Sequence, residues 1–317
     1  MTAAYRLSDS SIRNKTIYNS MLAGNFRNNS SKANGGNEII SSGGFWYHVF
    51  RSSGTFVPKE AITANILVIA GGGAGGGTWG AGGGAGGLIH TASQSLTSGT
   101  IYTAVVGAGG AKGSQTRNNG VASNLIGGVL TLTEAIGGGH GGIRTSPYTG
   151  GNGASGGGGT GAYGVSTNNG GSATASQGSA GGSAVWYQNG MGGGGGFSGA
   201  GGNASTSTHQ SGNGGVGTTT YSSWGSATST GQNSGGTFYY CGGGGGGASV
   251  ATGGTTAGTG GLGGGGAGGG GGGNYPSIGI DGTPNSGGGG GGGAQGNIID
   301  TLGGNGGSGV IIIRYAV

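Results

Sequence analysis

The chain has 317 residues, of which 98 are glycine, with 11 Lys and Arg set against 6 Asp and Glu. Glycine near a third, where about 7% is usual, leaves too few apolar side chains for a conventional core throughout, and runs such as Gly242–Gly247 break the Gly-X-Y period of collagen. The net charge of +5 does not mark a nucleic-acid binder, because such proteins cluster cations over their contact surface and no Lys, Arg, Asp or Glu occurs from Thr145 through Ile280.

Residues 1–44 are polar, with small apolar clusters at Ile12, Ile17, Tyr18, Met21, Leu22 and Phe26. The spacing of Tyr18, Met21 and Leu22 suits one helical turn, but the surrounding Asn and β-branched residues weaken it. The opening "MTAAYRLSDSSIRNKT" has no apolar stretch of a signal peptide. No window reaches the roughly 20 apolar residues that span a bilayer, so membrane insertion is not expected. "NNSSKANGGNE" reads as a linker.

Residues 45–136 read as a β-rich module. "FWYHVFRSSGTFVP" suggests a hairpin, Phe45–Arg51 with Thr55–Val57. "NILVIA" is a fully apolar strand, and "GLIHTA", "IYTAVVGA" and "VLTLTEAI" follow at the spacing of a small antiparallel sheet or sandwich. The C-terminal "VIIIRYAV" is as apolar as "NILVIA". Both are expected to lie centrally, so that residues 309–317 return to complete the module.

"ANILVIAGGGAGGG" also presents a strand running into Gly-x-Gly-x-x-Gly, the signature of a dinucleotide site. Such a site needs a helix behind the loop, to supply oriented N–H groups. Residues 71–87 are nearly all Gly and Ala, and each Gly costs a helix about 1 kcal/mol against Ala. The acid for the ribose is missing too, since no Asp or Glu lies between Glu60 and Glu134. No cofactor is expected.

Residues 137–308 form a glycine-rich body. Its runs alternate with polar stretches that carry Tyr148, Tyr163, Trp186, Tyr187, Tyr221, Trp224, Phe238, Tyr239, Tyr240 and Tyr275. Composition alone suits disorder, because ordering a backbone costs about 1–2 kcal/mol per residue and glycine loses most. Polyglycine in the polyproline II conformation offers a compensation. It has three residues per turn and no internal hydrogen bonds, so every N–H and C=O is free for a neighbour. Without side chains such helices can pack at about 5 Å, and a six-residue run spans about 19 Å. A Cβ would hold them apart, which accounts for long runs interrupted mainly by Ala and Ser. The expected fold is mainly β: an antiparallel sheet or sandwich module closed by the C-terminal strand, with a body of packed polyglycine II helices and exposed loops. A β-sandwich with long irregular glycine loops is the alternative.

"WYHVFRSSGTFVPKEAITANILVIAGGGAGGG", "GGGAGGLI" and "GGNGGSGVIIIRY" together resemble the glycine-rich domain of bacteriophage tail proteins, over residues 45–317. The body is similar in style to the tip adhesins of T-even-type long tail fibres. The resemblance implies a virion protein on a tail or other host-facing appendage, made in the host cytoplasm. Residues 1–44 would dock it to other tail or fibre proteins, as a monomer or trimer. Its exposed aromatics, with Trp79 added, are candidate contacts for a host glycan or outer-membrane protein. Rigid rings with small polar neighbours suit recognition.

Two non-enzymatic alternatives stand beside this reading: a passive structural part of the particle, such as a capsid decoration or connector, and an ice-binding or structural glycine-rich protein. Catalysis is not expected. His48, His90, His140 and His209 are dispersed, and carboxylates are too scarce for acid/base pairs. Lone Cys241 cannot form an internal disulfide or a Cys-based zinc site and is expected as buried filler.

Overall fold

The computed structural model describes residues 30–161, 167–185, 190–205, 207, 210–249, 256–271, 277–295 and 301–317. Its strands are β1 (Ala33–Gly35), β2 (Glu38–Ser42), β3 (Phe45–Phe50), β4 (Gly54–Pro58), β5 (Ile62–Ile69), β6 (Leu88–Leu96), β7 (Tyr102–Val105) and β8 (Asn124–Ile126). The short β9 (Thr167–Asn168), β10 (Ala184–Val185), β11 (Gln232–Ser234) and β12 (Thr237–Tyr239) follow, and β13 (Val310–Ala316) comes last. Among the described residues one helix, α1, runs from Ser222 to Thr228.

The fold is mainly β, and two antiparallel sheets form its sandwich. The five-stranded sheet has the order β2-β3-β13-β5-β6, the four-stranded one β1-β4-β7-β8. Strand β13 returns to a central place, pairing Ile312 with Val49 on one side and with Leu67 on the other. Alternation then assigns its side chains to two faces. Ile311, Ile313 and Tyr315 point into the sandwich with Phe50, Ile66 and Val68, against Phe56, Tyr102, Ala104 and Leu125 of the other sheet. Val310 and Ile312 point outward with Tyr47, Val49, Leu67 and Ile69, where Trp224, Tyr240 and Cys241 cover them. Burial on both faces explains why Ile66–Ala70 and Val310–Ile313 are continuously apolar.

Three local expectations are corrected. Phe45–Arg51 and Thr55–Val57 do not pair as a hairpin. Strand β3 bonds β2 and β13, while β4 crosses to the opposite sheet between β1 and β7. The stretch read as a linker contains β1 and ends on Glu38, the first residue of β2. "VLTLTEAI" alternates in burial from Leu130 to Thr133 but forms no ladder, only isolated bridges at Leu130 and Ala135.

Beyond β5 the chain enters a lattice whose hydrogen bonds repeat every three residues. Ala70, Gly73 and Gly76 donate to Gly87, Gly84 and Ala81. Gly71 and Ala74 donate to Val121 and Asn118, and Gly72 and Gly75 to Gly307 and Gly304. All seven bonds are 2.9–3.0 Å. The same strut accepts from Gly138 and Gly141, from Gly290 and Gly293, and from Gly110. Each third residue faces the same neighbour, which is the screw of polyproline II, and six segments surround one strut. A Cβ built on Gly71, Gly73, Gly75 or Gly76 would land on a neighbouring carbonyl oxygen. Alanine is admitted only in special places: Ala74, Ala81, Ala85, Ala248 and Ala294 are buried with room for one methyl each. The lattice draws on 70–87 and 107–121 as much as on residues beyond 137, so the compositional boundary near 136 is not a boundary in the hydrogen bonding.

Candidate functional site

The aromatic residues singled out in the sequence separate into several environments. Trp79 sits at the turn between struts 70–77 and 80–87, with φ +59° and half-buried. Its carbonyl accepts from the Thr160 hydroxyl, and the Arg144 guanidinium lies 5.8 Å from its ring. Tyr148 is half-buried, and its carbonyl accepts from the Thr160 amide at 2.9 Å. Phe238 and Tyr239 are half-buried on β12. Tyr163, Trp186, Tyr187, Tyr275 and the N-terminal set Ile12, Ile17, Tyr18, Met21, Leu22 and Phe26 lie outside the described residues, as does His209.

Trp224 and Tyr240 are not surface contacts; this corrects the reading of both as display residues. They are 4% and 0% exposed and belong to the layer covering the outer face of the five-stranded sheet. The glycine lattice meets this layer at Ala85 and Gly287, and large side chains close the rest of it. Residues Tyr221, Trp224 and Thr228 fall at i, i+3 and i+7 and put one face of α1 toward the sheet. The Tyr240 hydroxyl is 2.6 Å from Thr230 Oγ1, and burial pushes its pKa up to about 12.

Around α1 the topology assembles residues far apart in sequence. Register places Phe45, Tyr47 and Arg314 on the outer face beside Asn65, with His90 across β6 opposite Leu67. The Trp224 ring meets Tyr47 edge-on at 6.1 Å, and His90 lies 5.1 Å from Tyr221 and 5.7 Å from Trp224. Burial lowers the His90 pKa, and the Arg314 charge adds to the effect. Burial likewise raises that of Tyr221. An aromatic ledge results, with one cation in it. Only Tyr221 and Trp224 were legible as candidates; the signal for Arg314 was a lone charge inside "VIIIRYAV".

A family model described as a glycine-rich domain matches residues 51–316. The chain belongs to this glycine-rich domain family. No curated protein matches it.

In this glycine-rich domain a buried polar cluster lies on the inner side of the five-stranded sheet. His48, fully buried, sets Nδ1 2.6 Å from the Gly35 carbonyl oxygen. Its Nε2 is 2.9 Å from Ser31 Oγ and 2.8 Å from the Tyr315 hydroxyl. With Nδ1–H donating, Nε2 accepts a hydroxyl proton and the ring is neutral. Burial lowers its pKa most; the Gly35 bond works against this and the Lys59 charge with it. Ser31 also donates to the Ala33 carbonyl at 2.7 Å, and the His48 ring stacks on Tyr315 and meets Phe56 edge-on. These contacts fasten β1 and the two sheets together. Among the described residues no three His, Cys, Asp or Glu gather in a metal-binding group, and no helix is long and apolar enough to cross a membrane. Cys241 is buried, and burial pushes its thiol pKa far up.

Proposed function

We propose that the protein is a non-enzymatic display module of a bacteriophage tail or tail fibre, which presents loops of its glycine lattice to a host-cell surface. The observation that carries this reading is the strut 70–77, bonded to six neighbouring segments and ending in the turn at Trp79. Backbone held on every side fixes the turns at its ends, and rigid turns bear recognition residues at low entropy cost. Trp79, Tyr148, Phe238 and Tyr239 are the described aromatics that suit such contact. The resemblance to phage tail domains supplies the setting.

Residues 1–29 are the candidate attachment segment to other virion proteins. The rest of the 1–44 segment contains β1 and β2, which belong to the two sheets, so attachment is narrowed to the residues ahead of them. The partner on the host is a surface glycan or an outer-membrane protein loop.

The test is competition. Purified protein is mixed with host cells before phage is added, and unadsorbed phage are counted. Saturable binding to cells and reduced adsorption are expected. If the protein neither binds cells nor competes, the display reading fails and a passive structural role in the particle takes its place.

A further inference from the structure

The guanidinium of Arg314 lies between two rings, 4.4 Å from the centroid of Phe45 and 4.3 Å from that of Trp224. Stacking on both planes leaves only the rim of N–H donors for hydrogen bonding. Among the described residues no carboxylate pairs with Arg314; the ion pairs join Lys32 to Glu60, Arg51 to Glu38 and Lys112 to Asp281. Its Nε is sealed from solvent without an acceptor. A cation fixed in place, partly desolvated and lacking a counter-charge is an anion site waiting for its anion.

The group opens on a cavity of about 400 Å³, walled by Ser42, Phe45, Tyr47, Ser223 and Ser226, with no acidic residue in its lining. Glu38, on the same sheet face, is engaged by Arg51 at 3.3 Å. The geometry points to a binding site for a carboxylated sugar ring, with its carboxylate on the rim of Arg314 and its hydroxyls among the three serines. Each part of the ligand answers a part of the site. The guanidinium fork matches the planar, two-oxygen carboxylate. The volume takes one ring and not an extended chain. Half-buried Phe45 offers an apolar surface to sugar C–H groups, with buried Tyr47 as the floor, and the serine hydroxyls both donate and accept.

The site stands on its own geometry. It refines the recognition reading only by naming the kind of surface group held, and the two can fail separately.

The full chain is titrated with glucuronate and, in parallel, with glucose and inorganic phosphate, while NMR follows the amides of residues 42–45, 223–227 and 314. Saturable shifts with glucuronate are expected, with glucose at least about tenfold weaker, as loss of a charge-assisted hydrogen-bond pair requires. Arg314→Gln abolishes the shifts. Because Arg314 also supports the ring stack, a second variant, Ser226→Trp on the exposed side of α1, fills the cavity mouth. It abolishes binding with the melting temperature unchanged. Equal response to glucuronate and glucose, tighter binding of phosphate, or retained binding in Ser226→Trp overturns the assignment. Phage adsorption is not read in this experiment, so its outcome leaves the display proposal untouched.

Discussion

Arg51 donates a guanidinium N–H to the carbonyl oxygen of Thr228 at 2.9 Å, and so ties the end of β3 to the last residue of α1. Glu38 holds the same guanidinium from the other side at 3.3 Å. The helix has no side-chain cap at its start and no basic residue of its own in its last turn. Arg51 therefore supplies from outside the positive charge that a helix C-terminus favours. Arg51→Ala is expected to lower stability by about 1 kcal/mol, the sum of a half-exposed ion pair and a dipole contact. Urea unfolding measures it, and a loss of about 3 kcal/mol or more would mean that Arg51 serves the core directly.

The lattice makes a sharper demand. Gly75→Ala would set a methyl on the Gly291 carbonyl oxygen, whereas a Cβ on Gly270 meets nothing. The first substitution is expected to cost more than about 4 kcal/mol or to prevent folding, and the second to stay within about 0.5 kcal/mol. The two variants carry the same chemical change. Equal behaviour would show that close backbone approach does not hold the body together.

Hydrogen exchange reads the same lattice without mutation. Amides of Gly72, Gly73, Gly75 and Gly76 each have a carbonyl partner on another strut. They are expected to exchange with the slow, cooperative core of the sheets and not like loop glycines. Fast exchange at these positions would dissolve the scaffold on which the display reading depends.

Acid should weaken the fold through its histidines. Burial is the largest cause lowering the pKa of His48, His90 and His140. In the unfolded chain these groups titrate near about 6.5. As pH falls through that value the unfolded state takes up protons first, so stability is lost below about 6.5 and is level above it. Denaturant midpoints measured from pH 8 to pH 5 should decline only in the lower half of that range. His48→Gln, less stable throughout, should show a shallower decline. A midpoint that rises on acidification would contradict the assignment of neutral buried rings.

Cys241 provides a reporter. Its thiol is buried and, with its pKa far raised, is not ionised at neutral pH. A thiol reagent should leave the native chain unlabelled and react along the denaturant unfolding curve. Rapid labelling in buffer would place the 241 region among locally opening segments.

Much of the scaffold was legible in the sequence, because backbone geometry and composition point the same way there. Continuous apolarity in Ile66–Ala70 and Val310–Ile313 points to a central place for β5 and β13, and the glycine runs point to close-packed struts. The failures came where side-chain pattern cannot specify a partner. Ser52–Ser53–Gly54 reads as a hairpin turn, yet Tyr47 to Phe50 are buried on both faces. A strand of that kind needs neighbours on either side, and β4 serves the other sheet. Trp224 was read as a loop residue because the Gly and Ser around it hid the i, i+3, i+7 face of a short helix. Arg314 meets Phe45 and Trp224 only after β13 has crossed the whole molecule, so no local spacing announced that cavity.

Strand β13 lies between β3 and β5, and the glycine body separates it from both in the chain. On the ribosome, the two earlier strands emerge long before the one that joins them. Until then each carries an apolar flank with open N–H and C=O groups, ready to zip onto a neighbouring nascent chain. The interval that synthesis of the intervening residues imposes is thus the period of greatest aggregation hazard. A premature stop ahead of Val310 would make that hazard permanent, leaving a product with an empty slot in its central sheet.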